Sequence, residues 1–234
     1  MNRHQRRKQQ KEQKIVQPFH QELLEIIKIH SSKNYVLAEK EYLNLLNKIP
    51  NDYETIRHLG ILYFDIGRLE QAYNYFQKAV KVNPKRCEAY NNLGFVHIKN
   101  GNLELAETCL QKSYEINTRY IPTLNNLVGL YINWQHPDTA LKFAKRSIAL
   151  EPANPISNSQ YAKALIQNGQ LTEAIQILED LYKKFPSPPF RMDLSSAYRE
   201  NGDIQKSDQI VKEEFKKNYK ILDFFALYAI DKSN

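Results

Sequence analysis

Apolar and polar positions follow a helical period over most of the chain. In the stretch 53–86, Ile56, Leu59 and Tyr63 fall at i, i+3 and i+7, on one face of a helix. Gly67 follows; its tolerance of positive φ lets the chain turn and stops the helix. A second run sets Leu69, Ala72, Phe76 and Ala79 on one face. Pro84 ends that run, because proline has no N–H and disfavours helix at the residue before it. The pattern predicts two helices joined by a tight turn.

The same punctuation returns every 34 residues. Alanines stand at 38, 72, 106, 140 and 174, and prolines at 50, 84, 152 and 186, with Thr118 in the one missed place. Gly60 and Gly94 keep the step, as do Gly67 and Gly101. Six units result: 19–52, 53–86, 87–120, 121–154, 155–187 and 188–221, the fifth one residue short. The last carries Leu194, Tyr198 and Gly202, with Ser207 at the alanine place. A helix pair of this size cannot bury its apolar face alone, so neighbouring units must stack. The final stretch, 222–234, reads as a helix that caps the last pair. Small residues early in the units (Gly60, Gly94, Ala162) predict a close approach of the two helices. An all-α fold follows.

Composition narrows the function. The chain is 42% hydrophobic and 25% charged, with a net charge of +7. Residues 1–17 hold six of the 33 basic residues but only Glu12 of the 26 acidic ones. That tail therefore carries +5 of the excess, and the rest of the chain only +2. It has almost no apolar residue with which to offset ordering entropy, and reads as flexible. No apolar run approaches the length of a membrane span. The basic start lacks the apolar core of a secretory signal, so a cytoplasmic protein without membrane contact is expected. Cys87 and Cys109 are too few for a disulfide framework and read as reduced packing residues.

The repeat resembles the tetratricopeptide repeat, whose pattern is W-x₂-L-G-x₂-Y, then A-x₃-F, A and P. Unit 53–86 carries Ile56 in the Trp place, then Leu59, Gly60, Tyr63, Ala72, Phe76, Ala79 and Pro84. Unit 87–120 gives Tyr90, Leu93, Gly94, His97, Ala106 and Leu110. Unit 121–154 departs, with Val128 for the glycine, Gln135 at the turn and Ala144 for the aromatic. The resemblance implies a right-handed α-solenoid superhelix of antiparallel helix pairs. First helices would line a concave groove that binds an extended peptide or partner protein. It also implies a non-catalytic scaffold.

The resemblance further assigns groove-facing places to each first helix. The fifth place holds Arg57, Asn91, Asn125 and Ser159, and the sixth His58, Asn92, Asn126 and Gln160. A carboxamide offers both donor and acceptor, which matches the N–H and C=O of an extended peptide. The column is similar to the asparagine ladder of the O-linked N-acetylglucosamine transferase repeats. Asparagines at these places also bond neighbouring helices in such repeats, and both uses remain open here. Expected peptide-binding residues are Arg57, His58, Asn91, Asn92, Phe95, Asn125, Asn126 and Gln160, with Phe95 a candidate apolar anchor and Gly129 a gap beside it. The carboxylate clamp of chaperone-binding members is not matched: its places read Arg57, Ile61, Asn92, Pro122 and Asn126. Many relatives continue into a transferase. An alternative expectation is therefore an accessory or substrate-recognition subunit of a separate glycosyltransferase or sulfotransferase.

No catalytic, metal or cofactor site is expected. The six histidines show no i, i+3 or i+4 pairing, and no HExxH, Cys-x-x-Cys or glycine-rich phosphate loop occurs. His97, in the usual Tyr place, reads as a core histidine. The tail suggests weak, sequence-independent contact with a polyanion such as nucleic acid or the ribosome, falling steeply with salt. Deletion of residues 1–17 is expected to abolish retention of the protein on heparin. Unchanged retention would locate the polyanion contact on the repeats instead.

Overall fold

The structure is a computed structural model that describes residues 19–212. The expected tail and capping helix lie outside those residues. Every regular element among the described residues is an α-helix. The helices are α1 (19–31), α2 (Tyr35–Lys48), α3 (Tyr53–Asp65), α4 (Leu69–Val82), α5 (Cys87–Lys99) and α6 (Leu103–Ile116). They continue as α7 (Ile121–Asn133), α8 (Pro137–Leu150), α9 (Pro155–Gln167), α10 (Leu171–Lys184), α11 (Pro188–Glu200) and α12 (204–212). They fall into two compact units that part within α7, after Thr123.

One turn design joins the two helices of each repeat. After α3, Gly67 takes φ +77°, its N–H donates to the Phe64 carbonyl, and the Arg68 N–H reaches back to Tyr63 at 2.8 Å. This pair of bonds satisfies carbonyls that the helix end leaves without partners. Gly101, Gly169 and Gly202 repeat it. Lys33 and Gln135 close the same bonds without glycine, at φ 63° and 58°. A side chain there crowds its own backbone. Helix starts are less uniform. Asp52 accepts from the Thr55 N–H at 2.8 Å, and Asn154 from Ile156 and Ser157, whereas Arg68, Arg86 and His136 supply no side-chain cap.

Within a repeat, the close approach expected from the small residues is present. The alanines at 38, 72, 106, 140 and 174 are fully buried, and so is Ser207 at their place in the last repeat. A Cβ added at Gly60 would lie 2.6 Å from Phe76 Cε1, and one at Gly94 would lie 2.6 Å from Leu110 Cγ. The first helix is therefore small where the second is large. In 121–154 the sizes are exchanged: Val128 and Ala144 stand at the places of Gly60 and Phe76, and both are fully buried. The two departures from the repeat pattern compensate each other in volume.

The first repeat differs in register. Leu23, Ile26 and His30 are its buried first-helix residues. Each lies 33 residues before Ile56, Leu59 and Tyr63, although α2 keeps the step of 34 through Ala38 and Tyr42. His30 thus takes the place of Tyr63. Its Nε2 lies 3.1 Å from Asp65 Oδ2 and its Nδ1 3.4 Å from the Tyr42 hydroxyl.

Two expectations follow. Gly60→Val alone is expected to cost about 2–3 kcal/mol by overpacking, and Phe76→Ala alone about 3–5 kcal/mol by leaving a cavity. The double variant installs the Val128–Ala144 arrangement. Four-way chemical denaturation should find it more stable than the sum of the singles by at least ~1 kcal/mol; additive losses would refute the volume exchange. Separately, Gln135→Gly is expected to stabilise the protein by roughly 0.5–1 kcal/mol, since relief of a positive-φ side chain exceeds the added chain entropy. A lowered melting temperature would contradict that account.

Candidate peptide-binding surface

The fifth and sixth places, adjacent in sequence, have different roles in the structure. Asn91 is 5% exposed. Its Oδ1 accepts from the Thr123 hydroxyl at 3.2 Å. Thr123 in turn lies 2.6 Å from the Ser113 hydroxyl, which donates to the Cys87 carbonyl at 2.9 Å. One period later the motif recurs. Asn125, 8% exposed, accepts from Ser147 at 2.8 Å and donates to Ser157 at 3.3 Å, while Ser147 and Ser157 bond each other at 2.8 Å. These amides sit in the joints between successive repeats. Asn91 and Asn125, expected to bind peptide, have side chains that bond buried hydroxyls. Of the two uses left open for such asparagines, bonding a neighbouring helix applies here. Ser159 follows the same course, donating to Asp193 at 2.6 Å.

The sixth place is half-buried throughout. Asn92 accepts from Asn91 Nδ2 at 3.4 Å, but its own Nδ2 is buried with no hydrogen-bond partner among the described residues. Gln160 is similar in the second unit, where Oε1 is buried without a partner among the described residues. Asn126, also half-buried, is held by contacts of its own. An orphaned buried polar atom is costly, roughly 1–3 kcal/mol, and calls for an explanation.

His58 and Arg57 form an electrostatic cluster in the first unit. His58 Nε2 lies 2.8 Å from the Arg57 guanidinium, and its ring stacks on Tyr42 with centroids 6.4 Å apart. Burial first, and then the Arg57 charge, pushes the imidazole down to about 4. It is neutral at pH 7 and accepts from Arg57. The Arg57 charge is answered by Glu54 at 2.8 Å, which also accepts from Arg86 at 2.7 Å. Arg86 bonds Glu88 at 2.8 Å and lies 4.8 Å above the Tyr53 ring. The guanidinium partners hold the Glu54 and Glu88 carboxyls below their usual range despite burial. Two cations and two anions thus cancel on this face.

Phe95 is half-buried against Phe64, ring centroids 4.9 Å apart, with Lys99 Nζ 5.4 Å from its own ring. The sequence offered Phe95 as an anchor; the structure adds Phe64 from the preceding repeat. In the second unit, Lys163 pairs with Asp193 at 2.9 Å, and no heavy atom would lie within 4 Å of a Cβ at Gly129.

Residues that reading one repeat at a time passes over are Ser113, Ser147, Thr123 and Ser157. Ser113 and Ser147 are one period apart, as are Thr123 and Ser157, and that spacing was available as a signal. His97 is buried, edge-on to Tyr73 at 5.4 Å, and burial lowers its pKa. Burial raises both thiols, Cys87 and Cys109. A cavity of about 560 Å³ lies between α1, α2 and the start of α3 and is lined by none of the expected binding residues. Among the described residues no cluster of His, Cys, Asp or Glu is arranged to hold a metal, and no helix is long and apolar enough to cross a membrane.

Comparison with known proteins accords with the repeat fold. Models described as TPR repeat and tetratricopeptide repeat match residues 60–101, 87–120 and 135–192. No curated protein matches the chain. Among solved structures, PilW, a type IV pilus biogenesis factor, is 16% identical, with a TM-score of 0.73 over 87% of this chain and 94% of its own. TTC0263, a thermophilic TPR protein of Thermus thermophilus, is 21% identical, with a TM-score of 0.67 over 76% and 98%. YrrB, described as a TPR protein with an unusual peptide-binding site, is 16% identical, with a TM-score of 0.53 over 73% and 89%. Identities this low speak to the fold alone. Repeat register, turn geometry, packed small residues and matched segments agree: the chain is a tetratricopeptide repeat protein.

Proposed function

We propose that this protein is a non-catalytic interaction module that holds an extended peptide, or an extended segment of a partner protein, along its first helices. The carrying observation is that each compact unit holds one orphaned sixth-place amide. Asn92 Nδ2 is a donor and Gln160 Oε1 an acceptor, each buried without a partner among the described residues. An extended main chain can supply the complementary group in either unit by itself, a C=O to Asn92 in the first or an N–H to Gln160 in the second. The half-buried Phe64–Phe95 pair offers an apolar contact beside Asn92 for a ligand side chain. Arg57 and the neutral His58 hold the fifth and sixth places one repeat earlier, and the Arg57 charge is already balanced by Glu54. This face therefore suits a main chain better than an acidic tail. Asn91 and Asn125 support the site from beneath by fixing the joints on which the sixth-place residues stand. The structural likeness to YrrB, whose description mentions a peptide-binding site, is in keeping with this reading.

The test uses the full chain and a displayed library of random peptides. Peptides selected on the wild type are measured against Asn92→Leu and Gln160→Met, which keep volume and remove the orphaned groups. Affinity is expected to fall about tenfold in each variant; the melting temperature should hold or rise in Gln160→Met, which removes an unsatisfied buried group, and change little in Asn92→Leu, which also gives up the long bond from Asn91. Failure to select any peptide, or undiminished affinity in both variants, would overturn the proposal.

A further inference from the structure

The chain has seven glycines, and the structure accounts for six. Gly67, Gly101, Gly169 and Gly202 turn the chain at positive φ, and Gly60 and Gly94 lie under Phe76 and Leu110. Gly129 does neither. It stands inside α7, its φ is not positive, and a Cβ built on it meets nothing within 4 Å. Glycine is a poorer helix former than alanine because it loses more backbone entropy. No packing or turn among the described residues compensates for it here.

Its position gives it meaning. The corresponding places in other repeats carry Ile61, Phe95 and Lys163, all half-buried side chains. At Gly129 that place is bare backbone. Asn126 lies one turn earlier on α7. The neighbouring helix α9, joined to α7 through the Asn125–Ser157 bond at 3.3 Å, carries Gln160 at Asn126's place. Gln160 Oε1 is buried and has no partner among the described residues. An open stretch of helix backbone and an acceptor that lacks a donor thus belong to the same compact unit, on helices joined by that bond.

We propose that the bound peptide presses its main chain directly against α7 at Gly129 and donates one main-chain N–H to Gln160 Oε1. This rests on the reading of the protein as a peptide-holding module and fixes where the ligand makes its closest approach. A side chain at residue 129 would hold the peptide off the helix and stretch the bond to Gln160. Glycine is kept there for clearance to a ligand, at a small loss of helix stability.

The full chain carries the test, with peptides selected from a displayed random library as probe. Gly129→Ala is expected to raise the melting temperature by about 2 °C, since alanine favours helix and has room. The same substitution is expected to weaken peptide binding about tenfold, and Gly129→Leu to weaken it further. N-methylation of one peptide N–H should cost a similar factor in the wild type and little more in Gln160→Met, because both changes remove the same bond. If Gly129→Ala and Gly129→Leu bind peptide as the wild type does, the close approach is refuted. The peptide-holding reading then survives as long as Asn92→Leu and Gln160→Met still lose affinity. If no peptide is selected, both fall together.

Discussion

Everything in this molecule depends on how closely the two helices of each repeat can pack. The contact is a pairing of sizes: Gly60 under Phe76, Gly94 under Leu110, and Val128 with Ala144 at the same two places. A tightly packed interior tolerates little change in volume, so a large residue on one helix requires a small one opposite. Once that distance is set, the fully buried alanines at the start of each second helix and the shared turn between helices fall into place. Each repeat then presents a first helix of fixed orientation, and only on such a scaffold do the fifth and sixth places acquire distinct roles.

The division between those places is electrostatic as well as geometric. The fifth-place amides of Asn91 and Asn125 bond hydroxyls of Thr123, Ser147 and Ser157 in water-excluded joints. Such bonds add little net stability, but misaligned repeats would leave several polar groups unsatisfied at once. They therefore act on register more than on stability. The repeat at 53–86 lacks this device, having Arg57 at the fifth place and Ala79 and Ala89 where the next repeat has Ser113 and Thr123. Its polar face is organised by ion pairs among Glu54, Arg57, Arg86 and Glu88.

The fold was legible because the repeat signal rests on backbone requirements. Alanine, glycine and proline at a step of 34 mark close approach, positive φ and helix ends, and each has a local physical cause. The candidate site was less so. Periodicity places Asn91 and Asn92 side by side but says little about which turns inward, since a rotation of one residue, about 100°, separates a joint from an open face. Serines at 113 and 147, with Thr123 and Ser157, would have resolved it, as they supply the partners a buried amide needs. The register slip of α1 was concealed for a similar reason: α2 keeps the period, and only the burial of Leu23, Ile26 and His30 reveals the offset.

Charge bears on recognition through its location rather than its total. The tail carries most of the excess, while in the first unit Arg57 and Arg86 are matched by Glu54 and Glu88 at hydrogen-bonding distance. A ligand carboxylate would have to compete with two glutamates already seated on those guanidiniums. A neutral main chain faces no such competition, and the sixth-place group of this unit without a partner among the described residues, Asn92 Nδ2, is a neutral amide atom. The same neutrality extends to His58, whose burial and proximity to Arg57 keep it uncharged at pH 7. The proposed recognition on this face would therefore rest on hydrogen-bond direction and apolar contact, both less sensitive to salt than ion pairing across open solvent.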